Sequence, residues 1–207
     1  MKVLLINGSP NEHGCTYTAL NEVAQTLRKN DVEAELLWLG KKPMQDCIAC
    51  GHCRQTGECV FKDLVSETSA RMDEFDALIV GCPVYYGGPN GRLTAFLDRL
   101  MFSTPNEKLS GKLAASVVSC RRGGATAAFE RLNMYFSMLN MHVVSSQYWN
   151  QVHGHTPEEV RQDLEGLQTM RTLGQNMAYL LKAQKAASDA GIAPPVREQP
   201  VYTNFIR

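Results

Sequence analysis

Cys47, Cys50 and Cys53 follow one another at steps of three, and Cys59 comes after five more residues. Three thiolates at that spacing can wrap one face of a cubane, while Gly51 and Gly57 let the chain turn and bring in the fourth. The pattern favours a 4Fe-4S cluster. Zinc usually takes two separated C-x2-C knuckles, and the second knuckle is missing here. A zinc site, and thiols that hold no metal, stay open as alternatives. His52 stands among these cysteines, either as a donor toward a sulfide or as a solvent-facing residue. Cys15, Cys82 and Cys120 are scattered and read as small buried residues at strand ends.

A second chemical signal lies at Gly8-Ser9-Pro10-Asn11-Glu12-His13-Gly14-Cys15-Thr16. This segment joins an apolar run to a helical pattern, where free backbone N–H groups and the helix dipole favour an anion. Five residues rather than four separate Gly8 from Gly14, and Cys15 stands where a nucleoside-triphosphate loop needs lysine. The alternating glycines of a dinucleotide loop are also absent. What remains suits a single phosphate, with hydroxyls from Ser9 and Thr16 and N–H groups from Gly14, Cys15 and Thr16. The alternative is that Ser9, Asn11 and Thr16 only cap and turn.

These segments need a frame. The 207 residues are 44% hydrophobic and 20% charged, which fits one globular domain with one substantial core. Nearly all-apolar runs at Lys2 to Ile6, Val32 to Leu39, Ala77 to Val80, Lys112 to Ser119 and Met141 to Ser145 read as five strands. Helical spacing fills Thr16 to Asn30, Arg92 to Phe102 and Phe129 to Leu139, and more weakly Val65 to Glu74. One long helix is expected from Pro157 to Lys182 or a little beyond, since Val160, Leu164, Leu167, Met170, Leu173, Met177 and Leu181 recur at steps of three and four. Strands alternating with helices imply an α/β fold with a parallel sheet, and such sheets bind ligands beyond the carboxyl ends of their strands. Gly8, Gly81 and Arg121 each follow an apolar strand, so three candidate ligand loops share one edge.

The loop from Gly8 to Thr16 resembles the phosphate loop of flavodoxin-like NAD(P)H-dependent FMN reductases. Pro83-Val84-Tyr85-Tyr86-Gly87 resembles their second flavin loop, and Arg121-Arg122-Gly123-Gly124 their third. The cysteine segment, together with Tyr148-Trp149-Asn150, His153 and Gly154, is similar to the branch called iron-sulfur flavoproteins. The resemblance spans roughly Lys2 to Lys182. It implies a flavodoxin-like three-layer sandwich with a five-stranded parallel sheet in the order 2-1-3-4-5. It further implies one FMN per subunit, a 4Fe-4S cluster held by Cys47, Cys50, Cys53 and Cys59, and a homodimer or homotetramer with the flavin at a subunit interface. The family loop usually carries arginine at position 11 and asparagine at position 15, so Asn11 and Cys15 weaken the phosphate grip.

Glycine-bearing loops let backbone donors approach an isoalloxazine closely. Pro83 to Gly87 suits one edge, with Tyr85 or Tyr86 bordering the ring or else filling space beneath the loop. Arg121 or Arg122 near the pyrimidine end would stabilise the reduced, anionic flavin. Hydride passes directly from a nicotinamide to flavin, so no catalytic residue is assigned. Flavin takes electrons in pairs and releases them singly, which matches a one-electron cluster.

Residues 1–185 are expected to form the FMN-binding domain with a cysteine-rich insert at 40–62, and residues 186–207 a tail that wanders or packs on a neighbouring subunit. Lys plus Arg equals Asp plus Glu at 21 each, so no net field draws the chain to nucleic acid, to a membrane surface or, as in acidic electron carriers, to a basic partner. The apolar stretch after Met1 is shorter than a secretory signal, and a cytoplasmic location is expected. The leading expectation is an iron-sulfur flavoprotein oxidoreductase using NAD(P)H or a reduced carrier, with a small molecule or a redox protein as acceptor. The alternatives are an FMN or quinone reductase without a cluster, a flavodoxin-type carrier, and a structural zinc module.

Overall fold

In the computed structural model, which describes residues 1–203, strand β1 (Lys2–Asn7) sends Val3 and Leu5 into one core and Leu4 and Ile6 into another. All four are buried, as a strand covered on both faces requires. The chain continues through α1 (Cys15–Lys29) and β2 (Glu33–Trp38) into the cysteine segment. That segment has a single short helix, α2 (His52–Thr56), and leads into α3 (Leu64–Ala70). Next come β3 (Ala77–Tyr85), the two-residue β4 (Gly88–Pro89), α4 (Gly91–Ser103), β5 (Leu113–Cys120) and α5 (Ala125–Met138). The last elements are β6 (His142–Val143), β7 (Gln151–His153), α6 (Pro157–Gln162) and α7 (Leu164–Asp189).

The main path of the sheet runs β2-β1-β3-β5-β6, all parallel, which in terms of the five expected strands is the order 2-1-3-4-5. The strand count differs from the five expected. Strand β3 continues past Val80 to Tyr85 and turns back as an antiparallel hairpin with β4. The expected fifth strand is broken: β6 pairs with the start of β5 and β7 with its end. Between them Val144 donates its N–H to Ala114 O and Asn150 O accepts from Val118, so the edge of β5 stays partnered while the intervening chain leaves the sheet.

Alternate strand residues divide the interior into two layers. Leu4, Ile6, Leu78, Val80, Ala114 and Val118 pack with side chains of α3, α4 and α5, whereas Val3, Leu5, Ile79, Ala115 and Val117 pack with α1 and α7. The single long helix expected from Pro157 is two helices. Asp163 accepts from Gly166 N at 2.9 Å and from His153 N at 2.7 Å, and this side-chain cap starts α7 afresh. Thr156 caps α6 and Pro157 opens it, as expected. No helix among the described residues is long and apolar enough to cross a membrane. The expected tail falls partly within α7, and its final residues, 204–207, lie outside the described residues.

Candidate functional site

The carboxyl ends of β1, β3 and β5 are in register, Asn7 beside Gly81 and Pro83 beside Ser119, so the loops that follow leave the sheet side by side. They also touch. Gly8 N–H donates to Gly81 O at 2.9 Å, joining the first loop to β3. The Thr16 and Ser119 hydroxyls pair at 2.7 Å, joining α1 to the end of β5. A side chain at Gly124 would come within 2.7 Å of Gly87 Cα and 2.8 Å of Val84, and Gly124 has φ of 91°. Only glycine allows the third loop to close on the second there.

Asn7, ending β1, organises the first loop. Its side chain accepts from Ser9 N at 3.0 Å and donates to Glu12 O at 2.9 Å. The Trp38 indole donates to Ser9 O at 2.8 Å, and Asn90 Nδ2 donates to Gly8 O at 2.7 Å. Ser9 Oγ accepts from Asn11 N, leaving its own proton free to donate. Two of the expected phosphate donors are engaged elsewhere, because Gly14 N–H closes a turn onto Asn11 O and the Thr16 hydroxyl is buried against Ser119. The N–H groups of Cys15, Thr16 and Tyr17 in the first turn of α1 have no acceptor among the described residues, the condition in which a helix start receives an anion. Cys15 is half-buried at the start of α1 rather than buried at a strand end, and its thiol points to Gly154 O at 3.7 Å. Cys120 is buried at the end of β5 as expected, whereas Cys82 is buried inside β3, which runs on to Tyr85, and burial pushes its thiol up to about 12.

The second loop is a hairpin tip. Val84 pairs with Pro89 and Tyr85 with Gly88, leaving Tyr86 (φ 49°) and Gly87 (φ 78°) as the two turn residues. Two left-handed residues are what a type I′ hairpin turn needs, and a tyrosine held there is strained. Tyr86 is fully exposed and Tyr85 half exposed beside the rim. Arg121 and Arg122 are exposed ahead of α5 and make no ion pair among the described residues.

Cys47, Cys50, Cys53 and Cys59 line one cavity, closed by Phe61, Arg99, Phe102 and Ser103. Ala49, Gly51 and Gly57 all have positive φ, so the chain coils tightly around it. Burial raises Cys53, and the neighbouring Cys59, Cys47 and Cys50 raise it further, against its own backbone hydrogen bond. No three His, Cys, Asp or Glu side chains among the described residues converge as ligands of one ion. The chemistry of the donor set fits a thiolate-held cluster: four thiols line one cavity with a buried guanidinium, Arg99, and a buried Ser103 hydroxyl that has no hydrogen-bond partner among the described residues.

Sequence reasoning missed Asn7, Asn90, Arg99 and Ser103. Each had a local signal: an asparagine ending a buried strand, another preceding a helix, and two polar residues one turn apart in a helix whose apolar positions are Leu93, Phe96, Leu97 and Leu100.

A model of the NADPH-dependent FMN reductase family matches residues 1–156. The chain belongs to that family. It is 31% identical over 192 residues to an iron-sulfur flavoprotein of Methanocaldococcus jannaschii, covering 89% of this chain and all of the relative, which places it in the iron-sulfur flavoprotein branch. Among solved structures, RosB with a bound riboflavin-phosphate intermediate superposes with a TM-score of 0.71 at 15% identity, covering all of this chain and 93% of RosB. An archaeal flavodoxin superposes with a TM-score of 0.59 at 17% identity, covering 88% of this chain and 99% of the flavodoxin. The fold is flavodoxin-like, and the protein is an FMN-containing oxidoreductase.

Proposed function

We propose that this oxidoreductase carries FMN across the three-loop rim and a 4Fe-4S cluster on Cys47, Cys50, Cys53 and Cys59, and moves electrons from NAD(P)H or a reduced carrier to a small-molecule or protein acceptor. The observation that carries the reading is the set of free N–H groups at the start of α1 beside two loops that pack on each other at Gly124 and Gly87. In this reading the amides of Cys15, Thr16 and Tyr17 and the Ser9 hydroxyl take the phosphate. The Pro83–Gly87 hairpin borders one edge of the ring, and Arg121 or Arg122 stands toward the end where negative charge develops. FMN and the cluster, when bound, supply two-electron and one-electron chemistry respectively. The chain's residues bind and orient, and none is asked to act as general acid or base. A homodimer or homotetramer in the cytoplasm completes the proposal.

The test is anaerobic purification with flavin, iron and sulfide quantified, followed by a visible spectrum before and after NADPH. FMN with a full complement of iron and sulfide, and bleaching of the flavin band by NADPH, is the expected result. Flavin without iron would make the protein a cluster-free FMN or quinone reductase, the reading that the exposed Cys47 and Cys50 thiols favour.

A further inference from the structure

The last turn of α4 faces the cysteine cavity with two polar side chains four residues apart, Arg99 and Ser103. Arg99 is only 1% exposed. Its Nε and Nη2 donate to Cys59 Sγ at 3.4 and 3.3 Å, and Nη1 and Nη2 grip the Asp63 carboxylate at 2.7 and 2.8 Å. The remaining Nη1 hydrogen goes to Gln45 O at 3.2 Å, so all five guanidinium N–H groups are used. The group also stacks on Phe61, 4.9 Å from the ring centre. A guanidinium satisfied this fully has one position, and that position holds the fourth cysteine. Ser103 is the opposite case: its hydroxyl is buried with no partner among the described residues. Folded proteins seldom leave such a group unpaired without a ligand to meet it.

We propose that Arg99 and Ser103 are positioning residues for the cluster, Arg99 fixing Cys59 as its fourth ligand and the Ser103 hydroxyl donating to a cluster or cysteinyl sulfur, and that together they raise its reduction potential. This rests on the cluster reading above. One-electron reduction, by the reduced flavin or by dithionite, would add one negative charge spread over the cluster's iron and sulfur and break no bond. Donors aimed at those sulfurs therefore stabilise the reduced state more than the oxidised one. The negative charge of Asp63 does not cancel the effect, because the guanidinium stands between that carboxylate and Cys59.

The experiment compares wild type, Ser103→Ala and Arg99→Lys as full-length chains reconstituted anaerobically with iron and sulfide. Iron content, the rate of iron loss to a chelator, and the midpoint in a dithionite titration followed by electron paramagnetic resonance are measured. Ser103→Ala should keep its iron and shift the reduction equilibrium about tenfold toward the oxidised form, a midpoint about 59 mV lower. The same change removes an unpaired hydroxyl from the apoprotein, so apoprotein melting should not fall, which a purely structural serine bonded elsewhere would not allow. Arg99→Lys keeps the charge but cannot bridge Cys59, Asp63 and Gln45 at once, and should lose iron several-fold faster. Wild-type midpoints and iron-loss rates in both variants would overturn the inference while leaving the cluster in place. A wild-type chain that takes up no iron would remove the cluster reading itself, and this inference with it.

Discussion

The loop rim and the cysteine segment are built on opposite principles. At the rim, three strand ends set the loops side by side, and Asn7, Asn90, Gly8 and the Thr16–Ser119 pair tie them together by contacts within the chain alone. The stretch from Gly40 to Lys62 has one five-residue helix, and all of its residues are exposed or half-buried. It is fastened mainly through α4. Arg92 donates to Lys41 O at 2.8 Å and to Lys42 O, and Arg99 holds Gln45 O and Cys59 Sγ. A preformed rim can bind and release a ligand without refolding, whereas a loosely held segment gains order from whatever cross-links its thiols. Helix α4 serves both, with Asn90 just before its start on the rim and Arg99 about 14 Å further along its axis.

The sharpest way to break this contrast is at the rim. Gly124→Val should force the second and third loops apart and weaken FMN binding roughly a hundredfold, about 3 kcal/mol of overpacking and backbone strain. Iron uptake by the cysteines should be unchanged. Flavin titration and iron analysis of the same variant check this, and loss of both would mean that the two regions are one cooperative unit.

Removing the iron of the proposed cluster probes the other side. Chelation should speed amide hydrogen exchange across the cysteine segment by on the order of tenfold or more, while amides in β1, β3 and β5 keep their protection. Equal exchange with and without iron would show that the segment is as preformed as the rim.

The smallest effect serves as a control on the edge strand β2. Hydrogen bonds from Arg71, with further help from Lys2, hold the Glu35 carboxyl down at about 2, against an ordinary value of 4.5. A carboxylate with a lowered pKa in the folded state contributes stability above its unfolded value and loses it as pH falls toward the folded one. Wild type should therefore lose under about 1 kcal/mol through this group between pH 4.5 and 2, and Glu35→Gln should lose none of it, in acid-denaturation curves.

Much of the frame was legible because buried parallel strands are nearly continuous apolar runs, and β1, β3 and β5 are of that kind. The broken fifth strand was not, because a two-residue edge strand such as His142–Val143, exposed on both residues, has no apolar pattern to read. The helix break at Asp163 was hidden for a related reason. The apolar period continues through it, while the backbone leaves helical geometry at Asp163, whose carboxylate accepts from Gly166 N and His153 N. At the rim, the loop from Gly8 to Thr16 could be located from its residues. Which of its donors stay free depended on Thr16 meeting Ser119, 103 residues away.

Local chemistry in the chain was enough to mark where a phosphate and a set of thiolates could bind, because glycine turns, helix starts and cysteine spacing act over a few bonds. Packing decided the rest: that Gly124 closes on Gly87, that Asn90 holds Gly8, and that Arg99 reaches Cys59 with every donor used. Those contacts join residues far apart in the chain, and only the folded sheet and helices bring them within hydrogen-bonding distance.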